Sequence, residues 1–113
     1  MRFMMMTTES SAPSPELYIE MGKLIEEMTK AGVLLATGGL SPTPTRIKSS
    51  AGKITVTDGP FAEAKEAVVG FALVEAKSKE EAIEFSKRFW KVVGDGEGVI
   101  YQVFGPEDGP PRE

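Results

Sequence analysis

Residues 68–76, V-V-G-F-A-L-V-E-A, form the strongest strand candidate in this chain of 113 residues. Successive side chains of a strand point to opposite faces, and here Val69, Phe71 and Leu73 alternate with the equally apolar Ala72 and Val74. Neither face of this strand is polar. A strand of this kind belongs inside a sheet that is covered on both faces, so the rest of the chain has to supply the covers.

Two amphipathic helices are predicted, and they can cover one of these faces. The first spans residues 15–31, because Ser14 is a favoured N-cap residue, Pro15 suits the first helical position, and apolar residues recur at helical spacing after it. The second follows the strand, where Ser78 and Glu81 have the spacing of a capping box and an apolar stripe continues to Gly94.

Further strands are predicted at residues 2–8, 33–37 and 99–104, with a β-hairpin formed by residues 45–49 and 53–57. Without the hairpin, the order is the split β-α-β arrangement of a ferredoxin-like domain. We therefore expect an α+β fold with an inserted β-hairpin, in which an antiparallel sheet carries two helices on one face. One domain should cover residues 1–105, a usual domain size, with a C-terminal tail over residues 106–113.

The second face of the sheet has no predicted cover within the chain. Contiguous exposed apolar patches larger than a few hundred Å² usually mark an interaction surface. A second copy of the chain is the simplest cover, packed sheet on sheet around a two-fold axis. The sequence therefore predicts a homodimer.

Composition argues against several classes of function. The chain has thirteen basic and seventeen acidic residues, a net charge of -4 and no cluster of Lys and Arg that stands out, so we expect no nucleic-acid partner. It contains no Cys and no His, which are common metal ligands and catalytic groups, so we expect no metal and no cofactor. No apolar stretch approaches the roughly 20 residues of a membrane span, so we expect no membrane partner and a cytoplasmic location.

Residues 57–70, T-D-G-P-F-A-E-A-K-E-A-V-V-G, combine a tight turn with a dense group of charges. The D-G-P sequence is strong turn chemistry, and the turn could open a short helical segment over residues 60–66. One interpretation is purely structural. Asp58 then caps backbone N–H groups, Phe61 is a buried anchor, and Glu63, Lys65 and Glu66 form a solvated face.

The alternative interpretation is a site for a small molecule. A carboxylate beside the apolar ring of Phe61 is poorly hydrated, so Asp58, or secondarily Glu66, could abstract a proton and start an elimination without histidine. Arg46 or Lys65 could bind an anionic group or stabilise an enolate. Tyr18 lies just off the apolar stripe of the first helix, where its hydroxyl faces either water or the site. The ligand-binding candidates are Arg46, Phe61, Glu63, Lys65 and Tyr18.

The D-G-P-F sequence of residues 58–61, followed by E-x-K-E at residues 63–66 and Gly70-Phe71, resembles the signature of the YCII-related, DGPF-type family. The flanking pieces agree with that family, including the R-F-M start, A-G-V-L-L at residues 31–35 and Arg46 in the hairpin. The likeness covers nearly the whole chain.

The resemblance implies a dimeric α+β barrel of ferredoxin-like subunits. Some members of the family are thought to be small enzymes of elimination or dehydrochlorination type, with an Asp and a His at the site. This sequence has no His, so that pair cannot operate here and only Asp58 is carried over. Other relatives are linked to the regulation of alternative sigma factors. A non-catalytic dimeric regulatory or interaction module is therefore the alternative to a small-molecule enzyme or binding protein.

Overall fold

The computed structural model describes residues 1–10, 14–41, 43–59 and 69–108, and its elements follow the expected order. The strands and helices are β1 (Arg2–Ser10), α1 (Pro15–Lys30), β2 (Leu34–Gly39), β3 (Thr45–Ser50), β4 (Lys53–Asp58), β5 (Gly70–Glu75), α2 (Lys79–Val93) and β6 (Gly96–Val103). A 3-10 turn over Pro106–Asp108 follows β6. Among the helices of these residues, none is long and apolar enough to cross a membrane.

The main sheet has four strands in the order β2-β5-β1-β6, and each neighbouring pair is antiparallel. The two central strands, β5 and β1, come from different β-α-β halves of the chain, which is the interleaving of a split β-α-β fold. Phe3 lies opposite Val74, and Met5 lies opposite Ile100. The predicted α+β fold, with two helices packed on an antiparallel sheet, is confirmed.

Both helices begin at the caps that the sequence predicts. The Ser14 hydroxyl accepts a hydrogen bond from the backbone N–H of Leu17 at 3.2 Å, and the Ser78 hydroxyl accepts one from the N–H of Glu81 at 3.1 Å. The Glu81 carboxylate in turn accepts from the N–H of Lys77 at 3.1 Å. These bonds satisfy N–H groups that have no partner inside the helix, so they fix where each helix starts.

The hydrophobic core lies between the helices and one face of the sheet. Phe3, Val74, Ala76 and Ala82 are at most 4% exposed and form one cluster, against which Met5 and Phe85 among others pack. At the surface, Arg88 of α2 forms an ion pair with Glu27 of α1. The helices therefore sit side by side on the same sheet face.

The opposite sheet face, called here the outer face, is also apolar. The register places six side chains of the three strands β5, β1 and β6 on it: Met4, Met6, Phe71, Leu73, Val99 and Tyr101. The first four are half-buried, whereas Val99 is 40% exposed and Tyr101 58% exposed. The apolar second face that the sequence predicts is thus present.

Several predicted strand ends differ from the structure. Strand β1 continues to Ser10, beyond the predicted end at residue 8, and β6 covers Gly96–Val103 where residues 99–104 are predicted. Strand β2 was expected to end before Gly38 and Gly39, yet both belong to it and pair with Phe71 and Gly70. The Phe71 ring lies over Gly38, and a Cβ added at Gly38 would stand 3.2 Å from the ring. This close approach leaves little room for a side chain at position 38. Strand β5 begins at Gly70, and residue 68 of its predicted span lies outside the described residues.

The predicted hairpin is confirmed and is one residue longer in each strand than expected. Strands β3 and β4 form a separate two-stranded sheet, with Ile47 opposite Val56 and Thr45 opposite Asp58. Ala51 and Gly52 make the turn with φ angles of 50° and 79°. Two successive positive φ values are typical of the tight turns that match the twist of a hairpin.

Candidate functional site

A cavity of about 410 Å³ lies between the helical layer and the sheet. Both helices contribute large apolar side chains to its walls, among them Met21, Leu24, Ile25, Met28, Phe85 and Phe89. The helix-facing side of the sheet forms its floor. Phe89 meets Trp90 edge to face, with the ring centroids 5.2 Å apart, so two aromatic rings stiffen one wall.

Small residues in the floor explain why the space exists. Gly39 lies opposite Gly70, Gly98 lies opposite Thr7, and Ala72 is two pairs further along β5 than Gly70. All of them line the cavity. Interiors normally fill to the density of organic crystals, and a floor without side-chain volume leaves space under helices that cannot collapse onto it.

Gly98 also leaves room for the Trp90 side chain. A Cβ added at Gly98 would stand 2.6 Å from the backbone oxygen of Met6 and 3.2 Å from Cζ2 of the Trp90 ring. The first of these contacts is with backbone, which cannot swing aside. Glycine is therefore required here if the Trp90 wall is to keep its position.

The polar groups of the cavity are few and uncharged. Within the described part of the chain, the side chains that line it include hydroxyl groups, from Thr7, Tyr18, Thr37 and Ser86, and no charged group. The Thr37 hydroxyl donates to the carbonyl oxygen of Phe71 at 2.9 Å. Tyr18 is 67% exposed and so stands at the mouth. The described lining is suited to holding an uncharged molecule, and the Tyr18 hydroxyl lies at the entrance.

Asp58, the first candidate base, ends strand β4 at the base of the hairpin. Its Oδ1 atom accepts a 2.8 Å hydrogen bond from the Thr45 hydroxyl, and the N–H of Gly59 donates to the carbonyl oxygen of Pro44 at 2.7 Å. The side chain is exposed. Its observed contact ties the two strands together through the Thr45 hydroxyl, whereas the structural interpretation expected it to cap backbone N–H groups.

Arg46 and Asp58 lie on opposite faces of the hairpin. Arg46 pairs with Thr57, one position away from the pair of Thr45 with Asp58, and neighbouring positions of a strand face opposite ways. Neither residue is among the described residues that line the cavity. The structure thus places Tyr18 at the cavity, and Asp58 and Arg46 on the hairpin.

The other candidates from residues 60–68, namely Glu66, Phe61, Glu63 and Lys65, lie outside the described residues. Their roles stay predictions. As for metals, the described residues contain no group of three carboxylates placed to hold an ion.

The hairpin and the cavity mouth occupy the same end of the sheet. The chain leaves for the hairpin after Gly39 and returns at Gly70, both of which line the cavity. Here the N–H of Leu40 donates to the oxygen of Val69, and the N–H of Val69 donates to the oxygen of Thr7. Helix α1 starts from this end too, because it follows β1, so Tyr18 in its first turns comes to the same end.

Sequence reasoning missed the cavity floor and the Trp90 wall. The available signal was the set of strand glycines, since an isolated glycine in a strand often marks a close approach of another group. Their convergence depends on the register of three strands, which the sequence patterns do not specify.

These features define a class of protein: a ferredoxin-like α+β domain with an inserted hairpin and a ligand-sized cavity under its helices. The chain belongs to the YCII-related domain family, whose sequence model matches residues 1–104.

Two further comparisons place the chain among known proteins. An uncharacterised protein of Rhizobium meliloti (strain 1021) is 42% identical over 60 residues, which are 51% of this chain and 48% of that protein. The chain therefore matches about half the length of this curated relative. A solved structure of 5-chloro-2-hydroxyhydroquinone dehydrochlorinase from Burkholderia phenoliruptrix AC1100, in complex with 2,5-dihydroxybenzoquinone, has a TM-score of 0.50 at 12% identity. It covers 95% of this chain and 97% of that chain, and it supports the fold.

Proposed function

We propose that this protein binds a small, uncharged ring compound in the cavity beneath α1 and α2. The observation that carries the proposal is the cavity itself, whose volume of about 410 Å³ falls within the usual ligand range of roughly 300–1,000 Å³. Its walls are large apolar and aromatic side chains, which gain free energy by covering an apolar ring.

The polar groups favour an uncharged ligand. Burying an ion without a partner is costly, and the described lining offers hydroxyl groups rather than charges. The Tyr18 hydroxyl at the mouth can donate to or accept from a ring substituent, and the Thr37 oxygen can accept a further hydrogen bond. The fold neighbour is named for action on a substituted hydroquinone and was solved with a quinone. A single ring of that size is compatible with this cavity.

The ligand proposal is tested by filling the cavity. Ala72→Leu adds volume on the helix-facing side of β5, whereas Ala36→Leu adds the same volume on the opposite face of the adjacent strand. We expect uncharged ring compounds to raise the melting temperature of the wild type and of Ala36→Leu. The same compounds should leave the melting temperature of Ala72→Leu unchanged. The proposal fails if ring compounds of the same size that carry a carboxylate bind better than the uncharged ones. It also fails if both variants lose binding equally.

Lyase-like elimination is the catalytic extension of this proposal. A carboxylate would take a proton from a ring carbon, the C–H electron pair would form the new double bond, and the leaving group would depart with its own bonding pair. Asp58 and Glu66 are the bases proposed for this step. Asp58 lies on the hairpin and not among the described residues that line the cavity, so the step requires the hairpin to approach the cavity mouth. Asp58→Asn should then abolish turnover of a bound ligand while its affinity changes little, as measured by calorimetry and product analysis.

A dimeric regulatory or interaction module is the second candidate, and the outer face favours it. Met4, Met6, Phe71 and Leu73 are half-buried there, with Val99 and Tyr101 more exposed beside them. A second copy would bury this patch, sheet against sheet. Light scattering should then give twice the chain mass of 12.2 kDa, and Tyr101→Asp should shift it to the monomer. A wild type that stays at the monomer mass would contradict the dimer.

A further inference from the structure

Strand β6 forms one edge of the main sheet, with β1 on one side and, within the described residues, no strand on the other. It is eight residues long, against six for β2 at the opposite edge, where the register shifts between Leu34 and Ala36. Residues 98–103 of β6, G-V-I-Y-Q-V, carry no charge and no proline. Proteins usually protect an edge with charges, proline or a bulge, so an edge without them is a candidate for pairing with another strand.

The hydrogen-bond pattern of the sheet shows which backbone groups this edge offers. The N–H of Ala76 donates to the carbonyl oxygen of Met1 at 2.8 Å, so Met1 and every second residue after it in β1 bond to β5. The even-numbered residues of β1 therefore bond to β6, where their partners are residues 99, 101 and 103. The N–H and C=O groups of Gly98, Ile100 and Gln102 point to the free edge instead, where an added strand can bond to them.

A groove of about 370 Å³ runs beside this edge, between β6 and one flank of α2. Its described lining is five α2 residues and one β6 residue: Ile83, Ser86, Lys87, Trp90, Lys91 and Ile100. Arg88, on another face of α2, pairs with Glu27 of α1, so the groove lies on the flank away from α1. Ile83, Trp90 and Ile100 are half-buried and form an apolar floor, whereas both lysines are exposed.

The groove is positive although the chain as a whole has a net charge of -4. Both charged side chains in its described lining are lysines, and Glu80, one turn before Ile83, is not part of this lining. Lys87 lies 3.3 Å from Glu84, but the two side chains are 63% and 69% exposed, and surface pairs of this kind contribute little. Lys91 forms no ion pair with the described residues. The groove therefore favours carboxylates.

The spacing along α2 matches that of a strand laid beside β6. Ile83, Lys87 and Lys91 follow one another at four-residue intervals, which are about 6 Å along a helix. Alternate residues of a strand are about 6.8 Å apart and point to the same face. The Trp90 ring lies beside Gly98, so the Lys91 end of this row is level with Gly98, and the row runs toward Gln102. Three successive helix-facing side chains of an added strand can therefore meet the three α2 side chains in turn.

We propose that the β6 edge and this groove bind an extended acidic segment of a partner protein, which adds to the four-stranded sheet as a fifth, antiparallel strand. Directly opposed residues of an antiparallel pair that share hydrogen bonds also point their side chains to the same face. The partner residues that bond to the free edge thus point into the groove. There Ile83 favours an apolar side chain, and Lys87 and Lys91 favour acidic ones, so the partner has the pattern apolar-x-acidic-x-acidic.

A second copy of the chain fits this edge less well than an acidic segment. Pairing β6 with β6 would place both helical layers on one side of a continuous sheet, so Lys87 and Lys91 of the two copies would meet at one seam. Like charges placed together oppose association. A strand added in the plane of the sheet leaves the outer face open. The proposal therefore depends neither on the outer-face dimer nor on a cavity ligand.

The direct test is a titration with the blocked heptapeptide T-V-T-E-T-E-T. Its valine and two glutamates occupy one face of a strand, in the order that an antiparallel strand presents to Ile83, Lys87 and Lys91. We expect saturable binding by calorimetry, with a change in the fluorescence of Trp90, the one tryptophan in the chain. The reversed order T-E-T-E-T-V-T should bind several-fold more weakly. No binding of the first peptide, or equal binding of the two orders, would overturn the proposal.

Backbone methylation of the peptide tests the strand pairing without altering the protein. N-methyl groups on the valine and the two glutamates remove the N–H groups that face β6, and they should weaken binding at least tenfold, since three hydrogen bonds are lost. N-methyl groups on the threonines lie on the outer edge of the added strand, so this peptide should bind almost as well as the parent. Equal affinities of the two methylated peptides would show that no strand is added, which would overturn the proposal.

Charge reversal tests the acidic preference of the groove. Lys87→Glu with Lys91→Glu should weaken binding of T-V-T-E-T-E-T at least tenfold at low salt, and T-V-T-K-T-K-T should bind this variant instead. Lys23→Glu with Lys30→Glu makes the same change of net charge on α1 and should preserve binding of the acidic peptide. Circular dichroism checks the fold. A folded groove variant that binds neither peptide would overturn the proposal. A peptide that splits a wild-type dimer as it binds would also overturn it, because a second copy would then be the occupant.

Discussion

The hydroxyl of Thr45 and the carboxylate of Asp58 are joined by a 2.8 Å hydrogen bond across the base of the hairpin. The two residues are also paired in the strand register, as the first residue of β3 and the last of β4. Asp58 therefore closes the open end of the hairpin, opposite its turn. An aspartate at this position has a structural reason to be there whether or not it acts on a ligand.

This bond gives different expectations for Asn and Ala at position 58. Asp58→Asn keeps an oxygen that accepts from Thr45, so the hairpin should lose less than about 0.5 kcal/mol of stability. Asp58→Ala should lose about 1 kcal/mol, the usual net value of one hydrogen bond. Hydrogen exchange of the hairpin amides measures both. Thr45→Val should match the alanine variant, and an Asn variant as weak as Ala would show that the charge itself matters.

Gly98 gives a prediction for the cavity wall. Gly98→Ala places a Cβ 2.6 Å from the backbone oxygen of Met6 and 3.2 Å from the Trp90 ring. We expect a loss of about 1–3 kcal/mol in the free energy of unfolding, since overpacking forces backbone or side-chain shifts. Denaturant titration measures the loss, and the fluorescence of Trp90, the one tryptophan in the chain, reports the displaced ring.

Gly22 supplies the matched control. It lies in α1 with nothing within 4 Å of an added Cβ, so Gly22→Ala should stabilise the protein by about 0.5–1 kcal/mol through helix propensity. A loss of stability in Gly98→Ala together with a gain in Gly22→Ala would support the role of Gly98 in the cavity wall. A loss at both positions would contradict this.

The cap of α2 gives a third prediction. Ser78→Ala removes the acceptor for the N–H of Glu81, while Glu81 continues to accept from Lys77. The expected loss is about 1 kcal/mol, and Ser78→Asp should restore most of it because Asp is an equally good N-cap residue. Thermal unfolding of the three proteins tests this. An Ala variant as stable as the wild type would mean that the hydrogen bond from the Lys77 N–H to the Glu81 carboxylate is sufficient for the cap.

Local patterns predicted the elements of the fold because their causes are local. Ser14 and Ser78 start helices through hydrogen bonds to residues three positions away. Alternation in β5 depends on neighbouring residues alone. The antiparallel split β-α-β order then followed from the order of the elements.

The site could be predicted only in part, because it depends on register. The cavity floor needs Gly39, Gly70 and Gly98 to converge from three strands, and nothing in their local sequence specifies that. The predicted hairpin also ended at Thr57, which left Asp58 as a turn residue. Because Asp58 is in fact the last residue of β4, its face is fixed by the strand and is opposite to that of Arg46.

The hairpin turn gives the last prediction. Ala51 has a φ angle of 50°, the only positive value at a non-glycine residue in the described ranges, and Gly52 follows at 79°. An L-residue with a Cβ pays roughly 1–2 kcal/mol in this region, and Asn tolerates it better. Ala51→Asn creates an Asn-Gly turn and should slow amide exchange in β3 and β4 several-fold. Ala51→Val should speed that exchange, because a β-branched residue fits this φ poorly. Faster exchange in the Asn variant would show that the turn differs from the one described.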